Sequence, residues 1–86
     1  MIMSYMQRKS NDAYAINLFL KRRGFDVSGK GRKQNKIMVE FLKSKGLPYK
    51  KWNNNYKGLN TADLINAETV QQHFQDFRNW IENYVD

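Results

Sequence analysis

Apolar positions recur at helical spacing in three stretches of the chain, and no convincing pair of alternating segments is present to form a sheet. In SNDAYAINLFLKRRGF, Ala13, Ile16 and Leu20, joined by Phe19, fall on one face. Both ends of this stretch are marked. Ser10 or Asn11 can accept from the free amides of a first turn, Asp12 faces the positive end of the dipole, and Lys21, Arg22 and Arg23 suit the negative end. Gly24 then closes the helix in the left-handed conformation, with Phe25 folding back over it. These signals predict a helix of about twelve residues.

A second stripe, Ile37, Met38, Phe41 and Leu42, predicts a helix over Lys33 to Lys45, ended by Gly46 with Leu47 as its lid. FLKRRGF and FLKSKGL therefore use one device twice: an apolar pair, a cation-rich step, a capping glycine and an apolar residue. Between the two helices, DVSGKGRKQN holds glycines and cations and reads as a loop. Pro48 forbids helical continuation, so PYKKWNNNYKGLN, residues 48–60, reads as a connector. Thr61 reads as the candidate cap of a short turn holding Leu64 and Ile65. A last helix is predicted from about Ala67 to Tyr84, with Asn66 as its cap and Glu68 in its first turn. Its stripe is Val70, Phe74, Phe77, Ile81 and Tyr84, at spacings of 4, 3, 4 and 3, broadened by His73 and Trp80. MIMSYM reads as a short strand or a helical lead. The expected fold is all-α, a small single domain of three main helices: a basic helical hairpin over 10–47, the connector 48–60, and a C-terminal acidic, aromatic, amphipathic helix over 61–86.

Charge sharpens this division. The net +7 is uneven: up to Lys57, 14 Lys and Arg stand against Asp12, Asp26 and Glu40, a balance of +11. From Gly58 onward, Arg78 alone faces Asp63, Glu68, Asp76, Glu82 and Asp86, a balance of −4. Such asymmetry points the first two thirds at a polyanion. Cysteine is absent, which excludes a disulfide framework and a thiolate metal site and makes a reducing cytoplasm the expected location. No stretch has the apolar length of a membrane span, and the start lacks the features of a secretory leader.

Catalytic constellations are thin. His73 is the one histidine; Asp76 lies three residues on, but no further His or Cys completes a metal site. SGKGRK departs from the GxxxxGK[ST] phosphate loop and follows no recognisable strand. A non-enzymatic protein with no catalytic residue, metal or cofactor is expected.

The basic segment carries more. Lys30, Arg32, Lys33 and Lys36 lie where a glycine-bearing loop enters a helix N-terminus, a place where backbone amides and dipole already favour an anion. Lys21, Arg22 and Arg23 end the preceding helix, and a hairpin would bring them toward the same mouth. Each phosphate met this way lends affinity independent of base sequence.

AINLFLKRRGFDVSGKGRKQNKIMVEFL resembles the helix-extended loop-helix of SAP-type DNA-binding motifs: Leu20, Gly24, Phe25, Val27, Ser28 and Gly29 match in order and spacing. Ile37 then falls eight residues after Gly29, so the resemblance requires an insertion of about three residues, GRK or similar, relative to the family. It implies double-stranded DNA bound through backbone contacts, with Lys30, Arg32, Lys33 and Lys36 as contacts and Leu20, Phe25, Ile37 and Phe41 as core.

Two further surfaces follow from composition. In the connector, Lys50, Lys51, Trp52 and Tyr56 interleave aromatic faces with cations, as in proteins that stack unpaired bases; alternatively Trp52 and Tyr56 are core. On the last helix, Phe77, Trp80 and Tyr84 serve either as the third wall of the core or as a surface for a protein partner or a second copy. The expected function is phosphate-backbone binding to nucleic acid, double-stranded DNA ahead of single strands, in an accessory or regulatory role. The rival is a protein-binding module, such as a virus- or plasmid-encoded inhibitor or adaptor, whose basic face meets an acidic protein surface.

Overall fold

The two glycine caps form as the sequence requires. Phe25 N–H donates to the Leu20 carbonyl at 3.1 Å and Gly24 N–H to Lys21 at 3.0 Å; Leu47 donates to Leu42 at 2.9 Å and Gly46 to Lys43 at 3.1 Å. Both sites are therefore Schellman motifs, with Gly24 at φ 90° and Gly46 at φ 68°. The computed structural model describes residues 5–28, 31–52 and 61–85, with side chains from Asn11 onward. Its elements are α1 (Tyr5–Arg22), α2 (Arg32–Ser44), α3 (Ala62–Gln72) and α4 (Phe74–Ile81), and no strand occurs among the described residues. The fold is all-α, with four helices.

Three expectations are corrected. First, Tyr5 and Met6, the described part of MIMSYM, are helical in α1, and Ser10, Asn11 and Asp12 lie inside the helix instead of capping it. Asp12 faces Glu68 of α3, and its carboxyl is raised by burial first and by that neighbouring charge second. Second, the short turn after Thr61 is the first turn of α3, so Asn66 is interior to a helix and buried. Third, the last helix is two: His73, at φ −125° and ψ 34°, ends α3 and begins α4.

α3 packs against both α1 and α2. The core comprises Ile16 and Leu20 of α1, Val27, Ile37, Met38, Phe41 and Leu42 around α2, Ala67 and Val70 of α3, and Phe77 and Ile81 of α4. α4 closes one side with rings. Phe25, Tyr84, Trp80, Phe41, Phe77, Phe19 and Phe74 form an unbroken series of ring contacts, with centroids between 4.9 and 5.9 Å apart. Phe77 is fully buried; Trp80 and Tyr84 are half-buried against this series, and the Tyr84 hydroxyl donates to the Glu40 carboxylate. Aromatic–aromatic contact thus covers much of the ring surface that two short helices alone would leave bare.

Amides cross the core in a polar seam. Gln34 and Asn35 of α2 and Asn66 of α3 are buried, at 2, 3 and 1% exposure. Gln34 donates to the Ala13 carbonyl at 2.9 Å and accepts from Asn17 at 2.7 Å, while Asn17 also donates to the Val27 carbonyl at 3.1 Å. These bonds set the start of α2 beside the middle of α1. Asn66 donates to Asn35 at 2.6 Å and to the Lys50 carbonyl at 2.8 Å, and accepts from Lys50 N–H at 2.7 Å. Every such bond matters because an amide left unpaired in this position would forfeit its solvation.

Candidate nucleic-acid interface

The loop into α2 is built by a short relay. Asp26 accepts from the Ser28 hydroxyl at 2.8 Å and from Lys33 Nζ at 3.0 Å, which hold its carboxyl down at about 2, the Ser28 bond contributing most. Gly31, at φ 84°, then turns the chain into α2, and its carbonyl accepts the first helical bond from Asn35 at 2.8 Å. No side chain caps this helix. Its first-turn amides therefore stand with Arg32, Lys33 and Lys36, all exposed.

Asp63 lies behind the same turn. A Cβ on Gly31 would come within 3.2 Å of its carboxyl carbon, which shows how closely the two meet. Asp63 Oδ1 is buried without a hydrogen-bond partner, and burial pushes the carboxyl up to about 7. Below that pH it is largely neutral, and an anion at the start of α2 meets little repulsion from it. The folded protein holds this proton more tightly than the unfolded chain, whose carboxyl titrates near 3.8. Stability conferred by the protonated form is complete below 3.8 and is lost as pH rises to about 7. Asp63→Asn is expected to raise stability at pH 8 by about 2 kcal/mol and to do little near pH 4. Melting temperatures of the two proteins at both pH values check this, and parallel curves would exclude a buried carboxylate.

The remaining expected contacts divide between places. Lys21, Arg22 and Arg23 lie at the surface at the end of α1, where Arg23 pairs with Glu82 and stands 4.6 Å over the Phe19 ring. Arg22 and Arg23 neighbour α4, while the start of α2 sits beside Ala13 and Asn17 of α1. Lys50 and Lys51 are exposed and Trp52 half-buried, with the Lys50 backbone fixed by Asn66. Lys30 and Tyr56 lie outside the described residues.

Sequence reasoning missed Arg78. It lines a cleft of about 370 Å³ with Phe19, Arg22, Arg23 and Phe74, so a cation of the acidic segment joins the basic end of α1. His73 is half-buried at the junction of α3 and α4. Among the described residues no group of three His, Cys, Asp or Glu is placed to hold a metal, and no helix is long and apolar enough to cross a membrane. Compared with known proteins, the chain matches no family model, no curated protein and no solved structure.

Proposed function

We propose that this chain is a small, non-enzymatic nucleic-acid-binding domain that engages the phosphate backbone, with double-stranded DNA as its preferred ligand and an accessory or regulatory role. The observation that carries the reading is the start of α2. Exposed Arg32, Lys33 and Lys36 surround a helix N-terminus that no side chain caps, with Lys33 also paired to the Asp26 carboxylate. Backbone donors, dipole and side-chain cations then act on one anion track. The SAP-like order of residues leading into this helix supports duplex DNA as the polyanion. Base-reading side chains are not singled out by the surface, which suits binding through phosphate.

Titration of a random-sequence duplex with salt tests it. The parent protein is expected to lose affinity on a log-log slope of about −3 or steeper. Replacing Arg32, Lys33 and Lys36 together by Gln is expected to reduce that slope by about one unit per lost contact, with an unchanged melting temperature. Absence of duplex binding at low salt, together with retention of a specific protein from nuclease-treated lysate, would favour the protein-binding alternative instead.

A further inference from the structure

Guanidinium groups repel one another, so three brought to one depression with a single paired acid need an account. Arg22, Arg23 and Arg78 line the cleft of about 370 Å³ whose other walls are Phe19 and Phe74. Arg23 is occupied, paired to Glu82 and lying over Phe19. Arg22 and Arg78 are exposed, and among the described residues neither side chain has an ion pair, hydrogen bond or ring contact. The C-terminal end of α1 offsets part of the charge of Arg22, but Arg78 comes from a different helix. Phe19 and Phe74 meet edge to face, 5.2 Å apart at 69°, and both are only partly buried.

The volume is at the small end of ligand sites, which fits one planar group and its anion and not the width of a duplex. Two free guanidinium forks suit the oxygens of a phosphate, and an aromatic wall suits the face of a base. A bare inorganic anion would leave the rings unused. We propose that this cleft binds a single unpaired nucleotide of a nucleic-acid strand, with Arg22 and Arg78 on its phosphate and the base against Phe74. The proposal rests on the nucleic-acid reading but uses residues apart from the start of α2.

Fluorescence anisotropy of the full chain with a short oligothymidylate and with a duplex separates the two. Exchange of Arg22 and Arg78 for Gln is expected to weaken the oligothymidylate complex about tenfold or more and the duplex complex about twofold. Phe74→Leu, which keeps apolar bulk and removes the ring face, is expected to weaken the oligothymidylate alone by about tenfold. Single-strand affinity unchanged in both variants, or falling in step with duplex affinity, overturns the cleft proposal and leaves the α2 reading standing. Competition by polyglutamate as strong as by unlabelled oligothymidylate overturns it too. A parent protein that binds neither nucleic acid overturns both readings.

Discussion

Phe77→Ala is expected to destabilise the fold by about 3 to 5 kcal/mol, enough to leave much of the protein unfolded at ordinary temperature. Phe77 is fully buried and its ring meets four others: Phe41 at 5.1 Å, Phe19 at 5.9 Å, Trp80 at 6.1 Å and Phe74 at 6.4 Å. Truncation removes the transfer energy of the ring and opens a cavity on which α1, α2 and α4 all border. Collapse of one wall would break contacts with another, so relaxation recovers little. Urea unfolding followed by Trp fluorescence measures the loss. A change below about 1 kcal/mol would mean that the ring series does not hold α4 in place.

Asn66→Leu is expected to destabilise by about 2 to 4 kcal/mol although it makes the core more apolar. Leucine fills a similar volume but strands Lys50 N–H, the Lys50 carbonyl and Asn35 Oδ1, the three groups that Asn66 now pairs. Unsatisfied donors and acceptors at this buried or part-buried site cost more than the extra methyls contribute. A second readout isolates the cause: hydrogen exchange at the Lys50 amide should accelerate more than exchange within α2. Equal protection of Lys50 in both proteins would show that its backbone is held by something else.

What could be read from the sequence was local. Gly24 with Phe25 and Gly46 with Leu47 specify their caps through residues within one turn, and the stripe of α2 places Ile37, Met38, Phe41 and Leu42 in the core without tertiary information. The start of α1 was hidden because Ser10, Asn11 and Asp12 are good capping residues that here sit inside a longer helix. The break at His73 has no Gly or Pro to announce it, and the apolar spacing runs straight across it. Asn66 misled through its residue type: asparagine favours caps, yet this one belongs to the interior of α3. A usable signal existed, since Asn17 follows Ala13 by four and Asn66 precedes Val70 by four, each on a buried stripe. Of the interface, the cations beginning α2 were legible because loop and helix start are sequential. Arg78 was not, because charge summed along the chain assigns it to the acidic segment while the fold carries it to Arg22.

The polar seam and the position of α3 also bear on synthesis. In the folded protein α1 and α2 are joined by Gln34 and Asn17, while the apolar faces of both are closed by α3 and α4. A nascent chain that has emerged as far as the connector therefore holds two amphipathic helices without their common wall. It also carries 14 of the 15 Lys and Arg, a net balance of +11 up to Lys57. Cooperative collapse has to wait for the residues after Thr61, which bring both the common wall and a charge balance of −4. The acidic segment both completes the core and lowers the net charge at one step, so the fall in self-repulsion coincides with the onset of folding.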